Sequence, residues 1–406
     1  MGVPVYCVVK DRLTPAAVSR YLTGAFVWNT SCLNAECFLD GMHTMCKKLG
    51  CPAVLIPTDD LSAILIAECA PALESCFLFP NQQPELPRKL ANKRELYTLC
   101  REIGVTYPGT AFPRSVADVQ HFITHAKFPV IVKAAESWII PKGQRSTTIA
   151  RDPKQLYAMY EGVESGERGN VLFQEYIPPE YGEDWFYHGY RSARVDQCFG
   201  FTGRKLRSYP PLTGPTTLGK AAVNDRLRNQ AEQLLKSISY SGIVDLDYRF
   251  DKRDDQYKLL DFNPRIGAQF RLFEDTLGTD VVRALYLDLT GQGLPESRPA
   301  ADRMFIAEFH ELAAELGSFF GGLTRPEWGL TLQGKREWAW LSRDDPFPLL
   351  MMCIRLLIRV AERGLRVTSR RKPCPNGPRY VTSLRHWFDR EALKPISNGH
   401  PKEDGN

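Results

Sequence analysis

The sequence predicts a mixed α/β and α+β chain, on three observations. Through residues 1–88 short apolar segments alternate with helical ones, the pattern of a parallel sheet covered by helices. Farther on, strand-like segments follow one another directly, and two of them, IVDLDYRF and QYKLLDFN, flank the polar turn DKRDD as a β-hairpin. The second runs into LLDFNPRIGAQFR, where Asp261, Asn263 and Arg265 occupy alternate positions and share one face, with Leu260 and Phe262 turned the other way.

A chain of 406 residues has room for two or three domains. Its apolar fraction of 43% and charged fraction of 24% are those of an ordinary globular protein. A net charge of +5 is small for this length and gives no reason to expect nucleic acid or an anionic membrane as partner. The start, MGVPVYCVVKDR, lacks the basic and apolar regions of a signal peptide, and Tyr6 stands where a myristoylation motif needs Ser or Thr. The longest apolar run, FPLLMMCIRLLIRVAERG, is interrupted by Arg355 and Arg359, four apart. It is too short and too charged to span a bilayer, and reads as a buried amphipathic helix, with a membrane-surface helix as the alternative. Eleven cysteines without C-x-x-C pairs imply reduced thiols, no structural zinc and a cytoplasmic location.

In chain order, VPVYCVV (3–9), PAVLIPT (52–58) and ESCFLFP (74–80) are strands, separated by helical stretches such as GMHTMCKKLG and DLSAILIAECAPAL. No G-x-G-x-x-G follows the first strand, so the dinucleotide fingerprint is absent. LPRKLANKRELYTLCREIGV is a helix closing near Gly104; TYPGTAFPRS is a turn-rich link; DVQHFITHAK is a further helix. FPVIVKAA (128–135) is a buried strand with one lysine near its end, and SWIIPKGQRSTTIA is two short strands around a Pro-Lys-Gly turn. After a helix comes NVLFQEYIPPEYGED, then two strands carrying WFYHGYRSARVDQCFGFTGRKLRSYPP, a helix around 224–239, and the hairpin. The expected divisions are an α/β domain at 1–88, a second domain at 89–297, a helical extension at 298–396 with Trp328, Trp338, Trp340 and Trp387, and a disordered tail at 397–406.

A hairpin loop centred on Asp254 pairs Asp247 with Asp261 and sets Asp245 opposite Asn263. Like charges directly opposite destabilise a sheet, so the pairing needs a compensating cation. Two carboxylates and an amide are hard oxygen donors that suit Mg²⁺, which retains waters and bridges to phosphate oxygens. A solvated face with Arg and Lys neighbours is the alternative.

Taken in order, a lysine helix after the α/β segment, PVIVK, QEYIP, a basic strand, and an acid followed on the next strand by D-x-N-P-R resemble the ATP-grasp superfamily. Within it they are most similar to carboxylate–amine ligases related to carbamoyl-phosphate synthetase, including D-aspartate-ligase-like enzymes. The resemblance covers roughly residues 88–292, and residues 1–88 resemble the α/β domain that precedes the ATP-grasp domain there. PVIVK alone is unspecific, whereas the three motifs in this order and spacing are strong together. The implied fold is an ATP-grasp domain, two α+β subdomains gripping ATP, behind a short or incomplete parallel α/β domain. Family members commonly carry a strand and Gly-rich turn ahead of the segment resembling VPVYCVV, whereas this chain begins almost at that strand.

The resemblance also implies roles. Lys93 and Lys133 match the two lysines that contact the ATP phosphates, as compact point charges suited to phosphate oxygens. Gln174, Glu175, Tyr176 and Ile177 match the hinge beside the adenine, and Glu183, with Asp184 as alternative, matches the acid that holds the ribose. SWIIPKGQRST resembles the loop that covers the triphosphate, in which Lys142 and Arg145 read equally as phosphate contacts or solvent-facing residues. Lys205 and Arg207 share a face of the basic strand and match residues that reach phosphate or substrate carboxylate, with Arg204 turned away. Asp247, Asp261 and Asn263 match the ligands of two Mg²⁺ ions, with Mn²⁺ as a substitute; most members have Glu at the Asp261 position and many at Asp247. Arg265 matches the arginine that stabilises the acyl phosphate and tetrahedral intermediate. Arg271 and His188 are further candidates for carboxylate contacts.

The implied activity is an ADP-forming ligase that phosphorylates a carboxylate and passes the acyl group to an amine, acting on small molecules, with a homodimer left open. A carboxylase or kinase of the same fold, a non-catalytic nucleotide-binding regulator, and a peripheral membrane protein docking through Arg355, Arg359, Arg363 and Arg366 are the alternatives.

Overall fold

The computed structural model describes residues 2–28, 34–136, 146–164, 170–298, 303–309 and 335–369. The strands are β1 (Tyr6–Val9), β2 (Gly24–Val27), β3 (Ala53–Val54), β4 (Phe77–Leu78), β5 (Thr110–Ala111), β6 (Val130–Ala134), β7 (Thr147–Ala150), β8 (Val171–Glu175), β9 (Gly182–Ser192), β10 (Gln197–Ser208), β11 (Thr216–Ala221), β12 (Gly242–Asp251), β13 (Gln256–Asn263), β14 (Arg303–Ile306) and β15 (Lys335–Trp338). The helices are α1 (Ala35–Leu49), α2 (Asp60–Glu68), α3 (Ala70–Leu73), α4 (Leu86–Ala91), α5 (Lys93–Ile103), α6 (Val116–His125), α7 (Pro153–Glu164), α8 (Asp225–Ser237), α9 (Val281–Leu289) and α10 (Phe347–Ser369).

Contacts divide the chain into two units. One comprises Met1–Gly41, Glu308–Leu323 and Trp340–Asn406; the other comprises Met42–Ala307 and Thr324–Ala339. In the first, β1 and β2 pair in parallel, and Arg355 of α10 holds Asp11 at 3.1 Å. The helix expected over the long apolar run is present as α10, but Phe347, Leu350 and Leu357 stand exposed, so among the described residues it is half-covered rather than buried. The Arg363 and Arg366 side chains, Trp328, Trp387 and residues 397–406 lie outside the described residues. Among the described residues no helix is long and apolar enough to cross a membrane.

The second unit carries two larger sheets. Seven strands run in the order β13-β12-β9-β10-β11-β14-β15, and four in the order β5-β8-β6-β7. Residues 303–306 and 335–338, inside the stretch read as a helical extension, are strands of the seven-stranded sheet. One face of β12 carries Val244, Leu246 and Tyr248, which pack with Leu96, Tyr97 and Cys100 of α5 and Leu227, Ala231, Leu234 and Leu235 of α8. Each fully buried large apolar side chain contributes about 1.5–3 kcal/mol, so this layer is a main source of the unit's stability. The smaller sheet is closed by Val119 of α6 and Leu156 and Tyr160 of α7, packed on Val130, Val132, Val171 and Phe173.

The hairpin pairs Asp247 with Asp261 and Asp245 with Asn263, the expected register, by an unexpected route. Its turn is one residue tighter, so Asp251 faces Gln256 and Tyr248 faces Leu259. A bulge at Leu260 then inserts one residue and brings Asp261 opposite Asp247. Without the bulge Asp247 would face Leu260, because a one-residue slip reverses every side chain. Phe262 packs beneath the acidic row as expected, but Leu260, in the bulge, is only half-buried.

The reduced-thiol expectation fails for one pair. Cys46 of α1 and Cys76, just before β4, form a disulfide with Cα atoms 5.7 Å apart. Partners thirty residues apart in a chain of eleven cysteines are not legible from spacing.

Candidate functional site

Each charged group of the site is set by the local structure of its own element. The Asn92 side chain caps α5, accepting from the amides of Arg94 and Glu95, and so places Lys93 as the first helical residue. Lys93 Nζ lies 2.8 Å from Asp261 Oδ1. Lys133, near the end of β6, is 7% exposed and makes no ion pair among the described residues. Burial pulls its pKa down to about 8, Asp261 and Asp247 opposing and Lys93 and Lys205 adding to the fall.

The two facing carboxylates differ. Burial would raise Asp261, but Lys93, Lys133 and Arg265 outweigh it and hold its pKa below the ordinary value. Asp247 is pushed up to about 6, by burial and then by Asp245 and Asp261, against the pull of Lys205 and His188. Among the described residues the Asp247 side chain has no hydrogen bond or ion pair.

Arg265 stands just past the end of β13, after Pro264, and is held by three side chains. Nη1 lies 3.1 Å from Asp245 Oδ2, Nη2 donates to Asn263 Oδ1 at 3.1 Å, and Nε lies 3.2 Å from Asp60 Oδ1. Asp60 opens α2, behind the Asp59 cap. In the sequence the pair Asp59-Asp60 signals only a helix start, and no spacing rule connects it to Arg265. Burial raises the Asp60 pKa, Arg265 opposing.

The metal fit can be judged from the donors. Among the described residues no three His, Cys, Asp or Glu side chains converge as a metal cluster. The expected set is instead two carboxylates and an amide. Asp247 is unengaged, Asp261 uses one oxygen on Lys93, and Asn263 Oδ1 keeps a second lone pair beyond Arg265. A buried carboxylate with a raised pKa beside a second carboxylate lacks positive charge, and these donors suit an ion that retains its waters.

Lys205 lies on the same sheet face, in register with Asp184 and Arg249, and its Nζ approaches Gly214 O at 3.4 Å. A bulge falls between Lys205 and Arg207, so the simple alternation that put both on one face is interrupted there. Arg204 lies on the opposite face, 5.5 Å over the Trp185 ring and 3.3 Å from Glu183.

Toward the hinge, the Gln174 side chain is fully buried and donates to Tyr97 Oη at 2.9 Å and Thr110 Oγ1 at 3.1 Å. Its side chain is therefore part of the core, and only its backbone is left for a hinge. Glu175 accepts from the Gly109 amide and pairs with Arg253 of the hairpin turn; Tyr176 is half-buried and Ile177 is buried. Alternation along β9 turns Glu183 to the face packed by α8, where Arg204 and Lys252 engage it, whereas Asp184 is on the Asp247 face, held by Arg249. Arg271 is exposed on the 3-10 turn after Arg265, and His188 is fully buried. Lys142 and Arg145 lie outside the described residues.

Comparisons with known proteins agree with this architecture. Residues 213–296, which carry the acidic hairpin and Arg265 but neither Lys93 nor Lys133, match the family described as carbamoyl-phosphate synthase L chain, ATP binding domain. A D-aspartate ligase from Enterococcus faecium is 26% identical over 233 residues, 53% of this chain and 53% of that one. The biotin carboxylase domain of Hydrogenobacter thermophilus 2-oxoglutarate carboxylase, solved with MgADP, ADP and bicarbonate, superposes with a TM-score of 0.55 at 15% identity, covering 75% of this chain and 68% of that one. N5-carboxyaminoimidazole synthetase from Staphylococcus aureus gives 0.56 at 13% identity, covering 74% of each. The chain has the ATP-grasp fold. In sequence it is similar to the D-aspartate ligase, about half of whose length it spans.

Proposed function

We propose that the chain is an ATP- and Mg²⁺-dependent ligase that phosphorylates a carboxylate and couples the acyl phosphate to an amine, releasing ADP and phosphate. The observation that carries the reading is the meeting of Lys93, from α5, with Asp261, which is paired across strands with Asp247 and faces the field of Lys133. Two lysines from separate elements beside paired acids suit a triphosphate and its cation.

In this reading Lys93 and Lys133 hold phosphate oxygens, the backbone of 174–177 holds the adenine, and Asp184, in preference to Glu183, holds the ribose. Asp247, Asp261 and Asn263 hold Mg²⁺, which when bound neutralises phosphate charge and aligns the oxygens. A carboxylate oxygen attacks the γ-phosphorus and ADP leaves. An amine nitrogen then attacks the acyl carbon, phosphate leaves, and the amine gives up a proton. Arg265 offers a guanidinium fork to the anionic oxygens of both steps, and Lys205 and Arg207 receive the substrate carboxylate. The substrates are small molecules, and the chain supplies position and electrostatics.

The test supplies ATP, Mg²⁺ and pools of carboxylic acids and amines, and follows ADP, AMP and phosphate. ADP and phosphate formed by the wild-type chain and not by the Asp261→Ala/Asn263→Ala variant support the reading. AMP release would replace it with adenylation, and turnover that needs bicarbonate in place of an amine would replace it with carboxylation.

A further inference from the structure

We propose that His188 is a positioning residue for Arg265, acting through Asp245; its activity arm rests on the ligase reading, its structural arm does not. His188 on β9 is in register with Asp245 on β12, so strand pairing sets the two side by side. Its Nε2 lies 3.0 Å from Asp245 Oδ1, while Asp245 Oδ2 lies 3.1 Å from Arg265 Nη1. The carboxylate thus bridges the imidazole and the guanidinium, one oxygen to each.

The ring has no freedom to do anything else. It is fully buried, stacked on Phe270 at 4.3 Å and 10° and on Phe186 at 4.8 Å and 19°, with Phe273 edge-on at 5.1 Å. Neither ring nitrogen makes a hydrogen bond of full geometry among the described residues, so the 3.0 Å approach of Nε2 to Asp245 Oδ1 is the polar contact of the ring. Phe270 lies five residues beyond Arg265, so one loop supplies both the arginine and a wall of the slot. From the other side Gly267 closes on the carboxylate: a Cβ there would stand 2.8 Å from Asp245 Oδ2. A polar ring in an all-aromatic slot is not required for packing, since phenylalanine would fill the same space. What phenylalanine cannot supply is the contact that orients Asp245, and with it the angle at which Arg265 is presented.

The test uses the full chain and three variants, His188→Phe, His188→Gln and Arg265→Ala. With ¹⁵N-arginine labelling, the Arg265 Nε–H resonance is assigned by its absence in Arg265→Ala, and its hydrogen exchange is followed. His188→Phe is expected to keep the folded spectrum and speed that exchange about tenfold. Turnover should fall about a hundredfold with the KM for ATP unchanged, the scale of a misplaced catalytic group. His188→Gln, which retains a donor toward Asp245, should recover most of both. In the Arg265→Ala background His188→Phe should cost nothing further, because the two act as one unit. Unchanged Nε–H exchange in His188→Phe, or losses that multiply in the double variant, would overturn the proposal. If the wild-type chain turns over no pool, the exchange measurement alone decides, and the missing turnover counts against the ligase reading only.

Discussion

Lys93 and Asp261 are 168 residues apart in the chain and 2.8 Å apart in space. The pair joins the first turn of α5 to the far strand of the hairpin, so helix capping at Asn92 and strand register at Leu260 must both be right for it to form. Removing one partner of such a pair leaves a charge uncompensated. Lys93→Met is therefore expected to lower stability by about 2 kcal/mol, with Lys133 and Arg265 softening the loss, and to abolish ATP binding. Lys93→Met/Asp261→Asn should regain most of the stability and none of the binding. Thermal unfolding and calorimetry separate the two; binding that returns with stability would remove Lys93 from the phosphate site.

Under the proposed reading, Lys133 is expected to make ATP binding pH-dependent. Its pKa in the ATP-free chain is held down to about 8, by burial first. Below that pH it is charged and suited to a polyphosphate; above it the free chain has lost the proton, which the arriving phosphates draw back. Calorimetry at pH 8.5 in two buffers of different ionisation enthalpy should show proton uptake on ATP binding, and Lys133→Arg should show none. The sign for folding is opposite to that of a salt-bridged lysine. The unfolded chain binds this proton more tightly, so the ATP-free fold gains stability as pH rises from about 8 toward the ordinary lysine range. Proton release, or no linkage, would place Lys133 away from the phosphates.

Asp247 gives the corresponding acid-side prediction. A carboxylate raised to about 6 contributes stability at low pH that is lost as pH rises through that value. At neutral pH in EDTA, Asp247→Asn should therefore raise Tm, by a few degrees for one removed repulsion in a chain this size. Mg²⁺ should stabilise the wild-type chain, less so below pH 6, and should leave Asp247→Asn unmoved. An equal Mg²⁺ shift in the variant would take Asp247 out of the cation site.

The acidic hairpin was legible because a period of two and a polar turn together define a face, and because the bulge at Leu260 cancels the tighter turn. Two offsetting departures left the expected pairing intact, so agreement there owes something to compensation. Asp60 was illegible for a different reason: its two neighbours explain it locally as the start of α2, and only tertiary packing carries it to Arg265. Glu183 and Asp184 are adjacent, and a choice of face between adjacent residues needs a strand register that sequence alone does not supply. Gln174 lies in a motif that suggests the hinge, yet its side chain is spent on Tyr97 and Thr110. A motif names a segment; which of its side chains turn inward is decided by what packs on it.

That inward turn of Gln174 bears on the site through one more bond. Gln174 Nε2 donates to Tyr97 Oη, and Tyr97 Oη donates to Leu260 O at 2.8 Å. Leu260 is the extra residue of the bulge, so the chain Gln174–Tyr97–Leu260 ties the small sheet and α5 to the irregularity that sets Asp261 against Asp247. Tyr97→Phe removes the hydroxyl, leaving one buried Gln174 donor and the partly buried Leu260 carbonyl unpaired, for about 2 kcal/mol. If the bond only stabilises, ATP and Mg²⁺ affinities will survive once the variant is folded. If it pins the bulge, Asp261 will lose its register and Mg²⁺ affinity will fall with stability, whereas Gln174→Leu, which leaves the Tyr97–Leu260 bond in place, will lower stability alone. The expected outcome is the second, read from thermal unfolding beside Mg²⁺ titration of both variants. Tyr97→Phe with full Mg²⁺ affinity would show that the bulge is held by its own backbone.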